Sequence, residues 1–277
     1  MENPLSNFYR NKEIYVKLPT GGRWLTNNPK LTFDGEIGVQ PMTMQDEMLL
    51  TIPDALYNGQ AIFQLMSSIV PDIDDPYEIS LPDVDVLLLA SRAASIDKSM
   101  QVEARCTHCE NINLYEIDLA RVLSNVKVLG EETVVEMDGL KIEIRPNTLS
   151  AASAGNIQIA ESAKALGALR DQALGEETTE LYKQSIANAT AGKIAMIADG
   201  IVSITLPDGT VVSELKHIAD WLSNSNKQSI ESLQKQQVKL NDNGLNRNFN
   251  FTCAEEDCGL DFEGNITYNP SFFFKPE

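Results

Sequence analysis

The stretch Cys106-Thr107-His108-Cys109 and its distant counterpart Cys253-Ala254-Glu255-Glu256-Asp257-Cys258 decide how this chain reads. They hold all 4 cysteines of the sequence. Each pair sits between strand-like segments: residues 100–104 and 112–117 around the first, 248–252 and 260–267 around the second. Two hairpin tips that each offer two thiolates to one tetrahedral ion make a zinc ribbon. The spacing therefore points to one structural zinc ion held by Cys106, Cys109, Cys253 and Cys258. Two pairs of free thiols, or disulfides, are the other readings of the same residues. If one ion takes both pairs, the end of the chain returns to its middle. The residues between Asn125 and Arg247 then become an insertion carried on a metal-clasped sheet.

Bulk composition sets the limits. The 277 residues are 43% hydrophobic, enough to bury a sizeable core. No apolar run approaches the roughly 20 residues that cross a bilayer. The opening Met1-Glu2-Asn3-Pro4-Leu5-Ser6-Asn7 lacks the basic-then-apolar pattern of a secretory signal. The expected setting is a reducing cytoplasm, where Cys-x-x-Cys pairs favour metal over disulfide. The formal net charge is −18, which repels phosphate backbones and anionic lipid and suits a basic partner. Around the cysteines, Glu103, Glu110, Glu255, Glu256 and Asp257 outnumber Arg105 and Arg121. A nucleic-acid-binding zinc-ribbon regulator is the alternative function, but it needs a basic face with stacking aromatics.

Hydrophobic periodicity gives an α+β class: a small mixed β domain with the four-Cys ribbon, carrying a helical-bundle insertion. Residues 1–146 form an N-terminal α+β region with the first half of the ribbon, residues 147–246 the helical insertion, and residues 247–277 the return strands and tail. Residues 13–18 alternate as a strand, and a second strand is expected within 31–39. Thr43 and Asp46 form a variant capping box. Residues 60–70 carry an amphipathic stripe, and the helix opened by Pro82 and running to about Asp97 is apolar nearly all round, so it is central. Asp138-Gly139 between two alternating runs is the strongest hairpin signal in the chain. Beyond it, helices are expected at 150–174, 177–201, 213–222 with Ser213 as cap, and 228–240.

Catalytic patterns are sparse. The 2 histidines, His108 and His217, lie far apart in sequence. Asp83 and Asp85 sit two apart on one helix and so point different ways. Asp72, Asp74 and Asp75 lack the glycine and bidentate Glu of a calcium loop. His108, between two ligand cysteines, reads as an exposed knuckle residue. No enzyme, no small-molecule substrate and no membrane association are expected.

Several motifs in order resemble one family. They are Asn3-Pro4-Leu5-Ser6-Asn7-Phe8-Tyr9-Arg10, Ile14-Tyr15-Val16-Lys17-Leu18-Pro19-Thr20-Gly21-Gly22, Pro41-Met42-Thr43-Met44-Gln45-Asp46-Glu47 and Thr51-Ile52-Pro53-Asp54-Ala55-Leu56-Tyr57-Asn58-Gly59. The two cysteine motifs and Asn269-Pro270-Ser271-Phe272-Phe273-Phe274 complete the set. In this order they are similar to the T-even-type phage baseplate hub family, whose members are described as hub subunits or hub assembly catalysts. The resemblance implies a structural or assembly protein of a contractile tail, binding other baseplate proteins. It also implies residence in the host cytoplasm during assembly, while a lasting place in the virion tail baseplate is not implied by it. Beside the resemblance, the apolar ends offer Leu5, Phe8 and Tyr9, and Phe272, Phe273 and Phe274, as candidate docking residues for neighbouring tail subunits, the other reading being that both ends pack on the protein's own core.

Overall fold

The protein was examined as a computed structural model, which describes residues 3–52, 55, 59–95, 98–131, 133–169 and 176–266. The expected helix ends at Asp97 and Gly175, the last strand's end at Tyr268 and the Phe272, Phe273, Phe274 run lie outside these residues.

The architecture is mixed α+β, with small sheets and eight α-helices among the described residues. Strand β1 (Ile14–Lys17) pairs antiparallel with β2 (Glu36–Val39) and buries Val16 against Ile37 and Val39. The second strand is shorter than its sequence suggests. Residues 32–35 close a turn instead, with Gly35 N–H donating to Thr32 C=O at 3.0 Å and Gly35 at φ +75°. Helix α1 (Met44–Leu50) carries the expected capping box: Thr43 accepts from Asp46 N–H, and Asp46 accepts from Thr43 N–H. Helix α2 (Gln60–Ile69) buries Ala61, Ile62, Leu65, Met66 and Ile69.

Helix α3 (Leu81–Ser95) is the core's axle. Val86, Leu87, Leu88, Leu89 and Ala90 are all fully buried, so apolar residues all round mean contacts all round. Strands β3 (Ser99–Arg105) and β4 (Ile112–Asp118) form an antiparallel hairpin that carries Cys106 and Cys109 at its tip. Helix α4 (Leu119–Ser124) follows, capped by Asp118.

A second hydrophobic cluster corrects the expected bundle. Strands β5 (Val134–Met137), β6 (Leu140–Ile144), β7 (Ile201–Thr205) and β8 (Val211–Val212) make one antiparallel sheet in that order. Asp138 and Gly139 join β5 to β6 with φ of 52° and 78°, the conformation such a two-residue turn requires. Helices α5 (Leu149–Leu169) and α6 (Glu176–Asp199) precede β7. Helices α7 (Leu215–Asn224) and α8 (Lys227–Asn241) follow β8. Ile142, Ile144 and Ile204 from the sheet pack with Ile197, Ile218, Leu222 and Leu233 from the helices. Residues 147–246 therefore bring helices as well as the strands β7 and β8 to this cluster. Two helix boundaries also differ from expectation. Helix α6 stops at Asp199, two residues before its expected end, and Gly200, which lies against the Gln237 amide, leads directly into β7. Glu214, not Ser213, precedes α7, and it makes no side-chain cap bond.

Residues 145–149 tie the two cores together. Leu81 N–H donates to Asn147 C=O and Leu149 N–H to Ile79 C=O, at 2.9 and 2.8 Å. On the other side, Arg145 pairs with Asp199 at 3.1 Å, and the Asn147 amide meets Asn241 at 2.8 Å. The chain then returns through β9 (Asn248–Thr252) and β10 (Asp261–Asn265), a second antiparallel hairpin with Cys253 and Cys258 at its tip.

Asp83 and Asp85 on α3 do point different ways. Asp83 is 1% exposed and accepts from the Thr20 N–H and hydroxyl. Asp85 pairs with Arg247 at 2.8 Å, fastening the return segment to the axle. Burial raises the Asp83 carboxyl to about 7, against the lowering pull of Thr20. Burial likewise raises Asp85 to about 6, against Arg247. A raised carboxyl keeps its proton in the folded state where the unfolded chain has lost it. Its contribution is therefore greatest at acid pH and declines as pH climbs toward 7. The stability of Asp83→Asn relative to wild type is predicted to rise by up to about 1.4 kcal/mol per pH unit between pH 4 and 7. Denaturant titrations across that range would measure it; a flat difference would contradict it.

Candidate metal centre

The tips of the β3–β4 and β9–β10 hairpins face each other, and each brings its cysteine pair. All four Sγ atoms lie within 4.8 Å of one another. Cys106 Sγ is 3.9 Å from Cys258 Sγ, and Cys109 Sγ is 3.6 Å from Cys253 Sγ. A disulfide needs about 2.05 Å, so the four are free thiols. A tetrahedral ion with metal–sulfur bonds of about 2.3 Å has sulfur–sulfur edges of about 3.8 Å. The shortest contacts between the hairpins match that edge. The donor set is all sulfur, which suits a soft or borderline ion. Cys106 and Cys253 are buried, while Cys109 and Cys258 reach the surface.

The two tips close alike despite their unequal spacing. Cys106 N–H donates to Asn111 C=O at 2.9 Å, and Cys253 N–H to Leu260 C=O at 3.0 Å. In each, the residue after the second cysteine is left-handed: Glu110 at φ 65° and Gly259 at φ 56°. The two extra residues of Cys-x4-Cys are taken up in a local turn, where Cys258 and Gly259 N–H groups both donate to Glu255 C=O at 3.0 Å. The wider spacing thus delivers its sulfurs to the same place as the narrow one.

Polar groups aim at the sulfurs. His108 N–H lies 3.4 Å from Cys106 Sγ, and the Asn113 amide lies 3.6 Å from Cys253 Sγ. Burial opposes ionisation of Cys106, yet N–H groups of Cys109 and His108 and the neighbouring thiols bring it down to about 6. Asn111 N–H favours the Cys109 thiolate, but burial and the three crowded sulfurs push it up to about 12. Four thiols this close cannot all ionise without a cation between them. A divalent ion would remove that conflict, so the residues fit a metal.

An aromatic wall backs the cluster. Tyr115 stacks on Phe251 with centroids 4.3 Å apart, and Phe262 lies 5.8 Å from Phe251. The Tyr115 hydroxyl donates to Thr252 C=O at 3.0 Å, bridging the hairpins. Burial and then the Cys253 charge raise its phenol above the ordinary value. Sequence reasoning did not single out Tyr115, Asn113 or this wall. The alternation of Phe249 and Phe251 along β9 was the available signal.

The other candidate groups are engaged elsewhere. The His108 ring donates from Nε2 to Asp261 C=O at 3.2 Å, linking the two tips without joining the sulfurs. His217 is exposed on α7 and meets Glu214 at 3.3 Å. Asp72 pairs with Lys12, Asp74 accepts from Asn27, and Asp75 caps the turn at Pro76–Glu78. Among the described residues the four cysteines are the one cluster of potential metal ligands. Among the described residues, too, no helix is long and apolar enough to cross a membrane.

A family model described as "T4 bacteriophage base plate protein" covers residues 11–275. No curated protein and no solved structure matches the chain.

The geometry predicts a sharp contrast between neighbours. Cys253→Ser should abolish stoichiometric metal binding and lower Tm by about 10 °C, the shift roughly 4 kcal/mol produces in a chain of this size. His108→Ala should keep the metal, since its ring lies outside the sulfur cluster. Metal analysis by mass spectrometry with calorimetry decides; equal metal content in wild type and Cys253→Ser would contradict the prediction.

Proposed function

The chain belongs to the T4 bacteriophage base plate protein family, matched over residues 11–275, and on that premise we propose that it is a structural and assembly protein of a contractile-tail baseplate hub. Membership places it among baseplate proteins of the phage tail and makes other tail proteins its partners. The hub as its address, and assembly in the host cytoplasm before incorporation, are parts of the proposal. One observation supports it above the rest. The one potential metal cluster among the described residues is all thiol and joins far-apart segments, with Cys106 and Cys258 152 residues apart in the chain. Such a site acts as a fastener.

In this reading the ion is zinc, held by Cys106, Cys109, Cys253 and Cys258 as a zinc ribbon. Four thiolates fill its tetrahedron, so it offers no position to a water or substrate. Its contribution is to hold the two hairpins together. Residues 1–146 and 247–277 then form one clasped body, and residues 147–246 form an insertion whose sheet borrows the β5–β6 hairpin. No catalysis belongs to this function. Asp83 and Asp85 serve Thr20 and Arg247, and the hairpin tips expose Glu110, Glu255, Glu256 and Asp257. Those acidic tips give a nucleic-acid-binding role no support.

A phage lacking this gene tests the reading. It should make tails blocked at the hub, and the wild-type gene supplied in trans should restore them. Complete baseplates formed without the protein would contradict the proposal.

A further inference from the structure

We propose that the N-terminal arm and the exposed face of α1 form one docking surface for a basic-rimmed apolar pocket on a different baseplate subunit, an inference that rests on the hub reading above. The arm is ordered by its own contacts. Ser6–Phe8 is a single 3-10 turn, the Asn3 amide donates to the Tyr9 hydroxyl at 2.8 Å, and Leu5 N–H donates to Asn3 Oδ1 at 3.0 Å. Arg10 then bolts the arm to two helices. Its guanidinium donates to Ser68 C=O at 2.7 Å and to Ser68 Oγ at 2.6 Å on α2. It also reaches Asp46 Oδ2 on α1 at 3.2 Å and the Pro41 carbonyl. Asp46 is 7% exposed and further held by Thr43 and by Ser68 Oγ.

This rigid frame presents apolar side chains to water. Phe8 is 83% exposed, Leu5 63%, Met44 79% and Met48 65%. Met44 and Met48 lie four apart on α1 and so share one face, and Ile52, 48% exposed, follows just past the helix end. Beside that face an open groove of about 710 Å³ runs between α1 and α2, lined by Met48, Leu49, Ile52, Gln45 and Gln64. Because the backbone that carries these groups is already held, less chain has to be ordered on binding, which is what an interface anchor needs. Methionine adapts its shape to a partner surface.

Charge selects the occupant. A second copy would bring −18 against −18, whereas a basic chain is drawn in. The Arg10–Asp46 pair is closed on itself, so exposed Glu47 is the charge that flanks the methionine face. The fitting partner therefore offers an apolar pocket for Phe8 and the methionines, with lysine or arginine at its rim.

The test supplies variants in trans to a phage lacking the gene and measures the chain in purified baseplates and hub intermediates. Phe8→Asp and Met48→Glu should each lower incorporation about tenfold or more. Met48→Leu, which keeps the apolar contact, should restore it. Purified variants should retain their metal content and Tm, which separates lost docking from lost folding. Wild-type incorporation by Phe8→Asp and Met48→Glu would overturn the docking surface and leave the hub reading standing. Absence of the wild-type chain from baseplates and hub intermediates would overturn both. A wild-type homodimer in sedimentation that Phe8→Asp dissociates would overturn the choice of occupant.

Discussion

Four sulfurs meeting within 4.8 Å, drawn from segments 144 and 152 residues apart, fix the layout of this protein. Bringing the ends of so long a loop together costs about 4–5 kcal/mol of chain entropy. Zinc binding by four thiolates in small peptides supplies on the order of 10–16 kcal/mol at neutral pH. A metal at this cluster would therefore offset the closure with a wide margin. The same meeting brings Tyr115 onto Phe251 and sets Arg247 against Asp85, so the clasp, the aromatic wall and the fastening of α3 stand together.

A narrow polar crossing joins the two cores. Residues 145–149 share backbone bonds with Ile79 and Leu81 on one side and side-chain bonds with Asp199 and Asn241 on the other. One core lies around α3 and the two cysteine-bearing hairpins, the second around the β5–β8 sheet. The acidic, apolar-tipped surface and the all-thiol cluster suit a building block of the tail that the family describes.

Much of this was legible in the residues because each signal was local. Thr43 and Asp46 lie three apart, and their reciprocal capping bonds need nothing beyond one helical turn. Asp138-Gly139 specifies its hairpin by the φ values it tolerates. The all-round apolar run of α3 announced its central place. The cysteine pairs announced their tips but not the aromatic wall, because Tyr115, Phe251 and Phe262 converge from separate strands. Strand β7 escaped notice for a different reason. Ile201-Val202-Ser203-Ile204-Thr205 does not alternate cleanly and directly follows a helix, so its first residue reads as the helix end and the rest carries no strand signal. Its partners, β6 and β8, are set by tertiary pairing.

The central claim is that both cysteine pairs bind one ion with sulfur alone. X-ray absorption at the zinc edge of the purified full-length protein tests it most directly. The account predicts one zinc per chain with four sulfur neighbours at about 2.3 Å and no nitrogen or oxygen in the first shell. A mixed shell with nitrogen or oxygen, or a chain that carries no metal and joins its cysteines as disulfides, would contradict it.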